Sequence, residues 1–190
     1  MNRQRVIAGL PNLSPVAASA GFKPAEWQAS VTHFAEKCVF NASQGQKGIL
    51  MYHKMGAGKT LSLLNILMKR FKQKKETRCV VFGPKNVLTD FHPTSSDVSL
   101  IQDVDNFFLR RYERGMYALK DMAEFEVLAS SNRLAAECAG KIICIDEAHN
   151  VVQWLRRNPT KVQAVYDAMD RAQYVILMTG TPLINRMSDF

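Results

Sequence analysis

"GILMYHKMGAGKTLSLLNILMKR", Gly48 to Arg70, decides the fold. Its first five residues form a short, uninterrupted apolar run, the pattern of a buried strand. Its last third carries Leu61, Leu64 and Met68 at helical spacing, a stripe that Phe71 continues. Between strand and helix lies a glycine loop. Gly56 and Gly58 let the backbone curl with no Cβ in the way, so successive N–H groups point inward at an anion. The helix that follows offers its positive end to the same anion. In such a loop Lys59 reaches the β- and γ-phosphates of a nucleotide and the Thr60 hydroxyl suits Mg²⁺. Met55 and Ala57 complete the cradle. His53 stands where the usual eight-residue pattern begins with glycine, so the motif is relaxed at its first position.

The rest of the chain extends the pattern. "CVVFG" (79–83), "KIICI" (141–145) and "QYVILM" (173–178) are further apolar runs of strand length. Helical stretches alternate with them: "PAEWQASVTHFAEKCVF" upstream, then "HNVVQWLRRN" and "TKVQAVYDAMDRA", broken at Pro159. Continuous apolar strands alternating with helices predict a parallel sheet covered on both faces. Residues 97–140 are less patterned; helices are expected there, with a strand at "FEVLA". In such sheets ligands sit beyond the carboxyl ends of the strands. The glycine loop follows "GILMY", "DEAHN" follows "KIICI", and "TGTP" follows "QYVILM". Three polar clusters therefore meet at one sheet edge.

The acidic cluster has its own chemistry. Asp146 ends a buried strand, where a carboxylate is costly unless it meets a cation. It suits Mg²⁺, directly or through water, and Glu147 is placed to polarise an attacking water. His149, three residues after Asp146, falls near the γ-phosphate.

Composition bounds the alternatives. Hydrophobic content of 47% and charged content of 22% are ordinary for a globular domain, and 190 residues suffice for one with a full core. The net charge of +8 is uneven: residues 1–75 carry 12 Lys/Arg against 2 Asp/Glu, residues 76–190 carry 13 against 15. That favours a polyanionic partner. The four cysteines have neither C-x-x-C pairing nor histidines at zinc-ligand spacing, which argues against zinc and disulfides and for a reducing intracellular compartment. No apolar run approaches membrane-spanning length, and the proline-broken N-terminus makes a poor signal peptide.

"MGAGKT", "IDEAHN" and "MTGTPLIN", in this order, resemble the first RecA-like lobe of superfamily 2 DEAH-box helicases and translocases. "GTPLIN" is most similar to the Swi/Snf-like branch, and "HKMGAGKT" with "IDEAHN" resembles the helicases of large DNA viruses. The resemblance covers residues 22–190, after an irregular lead-in at 1–21. It implies a three-layer α/β P-loop NTPase domain with a mainly parallel sheet, using ATP and Mg²⁺, and tracking DNA in preference to RNA. It also implies roles for further residues. Thr179, Gly180 and Thr181 would couple hydrolysis to movement between lobes. "FKPAEWQ" matches an adenine-reading pattern, with Gln28 bonding the base and Phe22 packing nearby. "VVFGPKNVLTDF" matches a nucleic-acid motif, with Pro84 and Lys85 near a phosphate of the tracked strand. Such motors close ATP between two lobes. A chain stopping at Phe190 is expected to be half of one, with the second lobe supplied in cis or by another chain. Two alternatives stand beside this: a non-hydrolysing ATP-binding regulatory or assembly module, and a P-loop ATPase of another class.

Overall fold

The computed structural model describes residues 25–40, 47–53, 56–100 and 107–180. Five strands form one sheet: β1 (Gly48–Tyr52), β2 (Cys79–Gly83), β3 (Tyr117–Asp121), β4 (Ile142–Ile145) and β5 (Tyr174–Thr179). Their order is β1-β5-β4-β2-β3, and every pairing is parallel. All carboxyl ends therefore share one edge. α1 (Glu26–Phe34) precedes the sheet, and the crossovers are helical: α2 (Lys59–Gln73), α3 (Lys85–Leu88), α4 (Ser96–Leu100), α5 (Phe107–Glu113), α6 (Met122–Ser130), α7 (Leu134–Cys138), α8 (His149–Arg157) and α9 (Val162–Arg171). A single π-helical stretch, Ala35–Phe40, extends α1. This is the α/β architecture expected from the alternating pattern.

Strand alternation splits the core in two. Met51, Val81, Cys144, Ile176 and Met178 face α2 and its neighbours, where Leu63, Leu64, Leu67 and Phe71 are fully buried. Val80, Phe82, Ile143 and Ile145 face the other way, onto Phe125, Leu134 and Ala168 from α6, α7 and α9. Burying each large side chain stabilises the fold by about 1.5–3 kcal/mol relative to exposure. The central strands β2 and β4 are buried throughout. β1 differs: it is an edge strand, and Leu50 and Tyr52 are about half exposed on its outer face. The "GILMY" run is thus covered on one face.

Two elements depart from expectation. "FEVLA" is helical, inside α6, and the strand in this region is the preceding "YALKD". Asp121 accepts the Glu124 N–H at 2.9 Å while Glu124 accepts the Asp121 N–H at 3.2 Å, a reciprocal cap that starts a helix. β3 lies at the other sheet edge, so its sequence needs no continuous apolar run.

Arg111 joins distant pieces. Its buried guanidinium donates to the carbonyls of Thr77 (2.7 Å), Lys75 (2.6 Å) and Phe71 (3.3 Å), closing the end of α2. It also lies 4.2 Å from the Phe71 ring centroid.

Candidate nucleotide site

The glycine loop sits at the carboxyl end of β1, as its sequence predicts. Gly56 and Gly58 both have positive φ, +76° and +75°, where side chains with a Cβ are disfavoured. Gly58 carries a second constraint: a Cβ there would come within 2.6 Å of the Gln28 amide nitrogen. Lys59 opens α2 and is buried; its ammonium donates to the His53 carbonyl at 3.3 Å. Thr60 stands beside it in the first turn. Burial, and next the Lys59 charge, push the His53 imidazole below its ordinary pKa, favouring the neutral ring. The same ring lies 4.6 Å from the Trp27 ring of α1.

Gln28 is buried against this loop. Its Oε1 accepts the Ala25 N–H at 2.8 Å, and its Nε2 donates to the Gly58 carbonyl at 3.2 Å. Each end of the amide keeps one further hydrogen-bonding position.

β4 delivers the acidic turn. Asp146 is 3% exposed, and its N–H continues the ladder by donating to the Phe82 carbonyl at 2.8 Å. Burial raises the Asp146 pKa; the bond from the Glu147 N–H at 2.8 Å lowers it, the Glu147 charge raises it and Lys59 lowers it. The ammonium and the carboxylate thus feel each other across the site. Gly83 closes β2 beside it, where an added Cβ would already touch Asp146 Cβ at 3.4 Å. Glu147 has φ +50°, a left-handed conformation costing a non-glycine residue on the order of 1–3 kcal/mol.

Two groups meet the Glu147 carboxylate, and both lead to the end of β5. The Gly180 N–H donates to Glu147 Oε2 at 3.3 Å, and His149 Nδ1 lies 3.1 Å from the same oxygen. His149 Nδ1 is also 3.0 Å from Thr179 Oγ1. From behind, the Ala148 N–H donates to the Met178 carbonyl at 2.8 Å. On the opposite side, the His53 N–H donates to the Thr179 carbonyl at 3.3 Å. The end of β5, seated between β1 and β4, therefore knits the glycine loop to the acidic turn.

The expected residues are thus brought together: Gly56, Ala57, Gly58, Lys59, Thr60, Asp146, Glu147, His149, Thr179 and Gly180 share one edge, with Gln28 beneath the loop. Phe22, Met55 and Thr181 lie outside the described residues. Pro84 and Lys85 follow β2 on the same edge, farther along the sheet. Lys85 lines an open groove of about 440 Å³ together with Thr89, His92, Tyr112, Leu119 and Glu124. The Trp27–His53 contact and the left-handed Glu147 escaped sequence reasoning. The first joins segments with no periodic relation, and a positive φ at glutamate has no compositional mark.

The glycine cradle, the Thr60 hydroxyl at the start of α2 and the Asp146 carboxylate at the end of β4 lie on one sheet edge, and their chemistry suits a magnesium nucleotide. An oxygen pair of this kind fits a hard divalent cation that keeps several waters. Among the described residues, no helix is long and apolar enough to cross a membrane.

Comparison with known proteins agrees with this fold. The family described as "Type III restriction enzyme, res subunit" matches residues 22–184. A protein of Acanthamoeba polyphaga mimivirus named as an ATP-dependent RNA helicase is 23% identical over 175 residues, covering 78% of this chain and 29% of that protein. The Sulfolobus solfataricus SWI2/SNF2 ATPase core in complex with double-stranded DNA superposes with TM-score 0.60 at 24% identity, covering 95% of this chain and 36% of that one. A nuclease-deletion mutant of the type ISP restriction-modification enzyme LlaGI, in complex with a DNA substrate mimic, gives TM-score 0.54 at 17% identity, covering 88% and 19%. The fold is that of a RecA-like, helicase-type ATPase domain, and the chain spans less than a third of the viral relative's length.

Proposed function

Because this chain belongs to the family of the type III restriction enzyme res subunit, we propose that it is the first, ATP-binding lobe of a superfamily 2 motor of the DEAH-box, Swi/Snf-like branch. Such a motor couples ATP hydrolysis to movement on nucleic acid, DNA in preference to RNA. The observation that carries this reading is the junction at β5. The main-chain and side-chain atoms of Thr179 and Gly180 touch both the phosphate loop and the acidic turn. A change at the γ-phosphate can therefore reach the strand end from which the chain continues.

Each residue has a role in this proposal. Lys59 leaves the His53 carbonyl for the β- and γ-phosphates. Gln28 offers its remaining donor and acceptor to adenine, whose amino group and ring nitrogen match an amide in two bonds. Thr60 and Asp146 hold Mg²⁺, which when bound neutralises phosphate charge. Glu147, fixed by Gly180 and His149, orients the attacking water and accepts its proton. Pro84 and Lys85 contact the tracked strand, and a second RecA-like lobe, in cis or from another chain, covers the open side of the nucleotide.

Steady-state phosphate release by the 190-residue chain, with and without DNA or RNA, tests the proposal. An arginine from a second lobe can contribute a factor of ~10³–10⁵. This lobe alone is therefore expected to bind Mg-ATP yet turn over very slowly under all conditions. Fast hydrolysis by a ring-forming oligomer, indifferent to nucleic acid, would replace the motor reading with another P-loop class.

A further inference from the structure

Among the described residues, a concentration of positive charge outside any ion pair lies at the pole opposite the glycine loop. α2 begins at the glycine loop and runs 15 residues, about 22 Å at ~1.5 Å per residue, to the amino edge of the sheet. There Lys72, Lys74, Lys75 and Arg78 are exposed. α5 ends at the same edge, contributing exposed Arg110 and Arg114. Arg111 holds the two groups together through its bonds to Phe71, Lys75 and Thr77, and β2 is tied in by the Cys79 N–H donating to Met116 at 2.8 Å. Six exposed cations meet two exposed carboxylates, Glu76 and Glu113. None of the six forms an ion pair among the described residues. The neighbouring lysines behave differently: Lys69 pairs with Glu36 at 3.0 Å, Lys141 with Glu137 at 2.8 Å and Lys47 with Asp170 at 3.6 Å.

Among the described residues, none of these six side chains makes a hydrogen bond or ion pair that joins elements of the fold, a task that falls to Arg111. Cations at a helix end ordinarily serve its free carbonyls. Here the Phe71 carbonyl of the last turn is taken by Arg111 and the Arg70 carbonyl by the Lys74 N–H, while Arg111 also holds the Lys75 and Thr77 carbonyls just beyond the helix. The outer lysines and arginines are left directed to solvent, gathered at like charge, an arrangement that costs free energy in the isolated chain.

We propose that this pole is a second nucleic-acid contact, binding the phosphate backbone of a duplex without reading its sequence. It is separate from Pro84 and Lys85, which follow the carboxyl end of β2. No exposed aromatic side chain is interleaved at 72–78, and Tyr112, exposed between Arg110 and Arg114, has its ring packed on His92 at 5.2 Å, so the patch suits phosphates better than unstacked bases. The location of the patch is independent of the motor proposal; the choice of nucleic acid over an acidic protein rests on it. Since the pole is remote from the ATP edge, a duplex held here tethers the protein without touching the nucleotide.

Fluorescence anisotropy of a labelled DNA duplex, titrated with the full chain between about 50 and 200 mM KCl, reads the number of phosphates contacted, each contributing about 0.9 to the slope of log affinity on log salt. The triple variant K72Q/K74Q/K75Q is expected to lower that slope by about 2–3 and to weaken binding at least about tenfold, with ATP affinity unchanged. K72R/K74R/K75R should keep the parental slope, which separates charge from folding. Lys85→Ala should remove about 1 from the slope and leave the rest. A parental slope in the glutamine variant overturns the second contact while leaving the track at Lys85 standing. Loss of all duplex binding in Lys85→Ala alone overturns it too. If the parent binds no duplex, both contacts fall. Displacement of the duplex by polyglutamate at equal charge would make the partner an acidic protein and overturn the assignment to nucleic acid.

Discussion

The glycine loop and the acidic turn lie one strand apart on the same sheet edge, yet they are built differently. Glu147, in a left-handed backbone, is met by Gly180, His149 and, through His149, Thr179. Its carboxylate is set by the protein before any ligand arrives. Lys59 is instead bonded to the carbonyl of His53, the residue that begins its own loop. That bond is local and replaceable, and in the proposed role a phosphate takes the same ammonium. The difference shows which half of the site the core determines and which half the ligand finishes. A water-orienting group gains from rigidity, since misplacement costs rate directly. A phosphate loop gains from a provisional partner, since an unpaired buried ammonium would be expensive.

The comparison breaks most visibly at Glu147. Measured in a two-lobed protein carrying this lobe, Glu147→Gln should lower turnover by roughly 10²–10⁴, the range for a positioned general base, while ATP affinity stays within a few-fold. The amide keeps the shape and the bond from Gly180, but it cannot accept the proton. Turnover within about twofold of the parent, far below the ~1.4 kcal/mol of a tenfold change, would remove Glu147 from the chemistry. A smaller effect is expected at the loop. Lys59→Ala should weaken binding of a fluorescent ATP analogue by roughly 10- to 100-fold, since a charge-assisted bond contributes about 1.5–3 kcal/mol. Unaltered circular dichroism would accompany that loss, because the His53 carbonyl is released and not buried unpaired. Equal affinity in variant and parent would sink the phosphate site.

What the sequence disclosed follows the same division. β2, β4 and β5 were legible because buried central strands must be apolar throughout, and the glycine loop was legible because φ near +75° selects glycine. β3 was not: at a sheet edge only Tyr117 of "YALKD" is fully buried and the four residues after it are half-buried, so the strand carries no apolar run. α6 did leave a signal, the Asp121 and Glu124 spacing of a reciprocal cap, which the apolar "FEVLA" obscured. Arg111 looked like one cation among many, and its buried role depends on carbonyls more than thirty positions away. The candidate site was legible as a set of residues. Its internal wiring, Glu147 to Gly180 and His149 to Thr179, joins positions 30 or more apart and leaves no local pattern.

The last way to sharpen the comparison is thermal, and its effect is the smallest. Asp146 is buried with its pKa raised, burial being the largest cause. A carboxyl whose pKa is higher in the folded state than its ordinary value makes the folded chain the tighter proton binder. Stability therefore falls as pH rises from that ordinary value through the raised one, and above it the full cost of the buried charge persists. Asp146→Asn removes that charge while retaining the shape. Without nucleotide at pH 7, the asparagine variant should be more stable by about 1 kcal/mol, a rise of roughly 2–4 °C in Tm for a chain of this size. The lead should vanish as pH falls below the ordinary carboxylate value, because the parent is then protonated too. Saturating Mg-ATP should invert the order, since the parent gains ligand stabilisation that the variant cannot match. Differential scanning fluorimetry across pH, with and without Mg-ATP, reads all three. A variant that melts no higher than the parent at pH 7 without nucleotide would mean that Lys59 already neutralises Asp146. The two halves of the site would then be one prebuilt ion pair, and the contrast between a finished acidic turn and a provisional loop would fail.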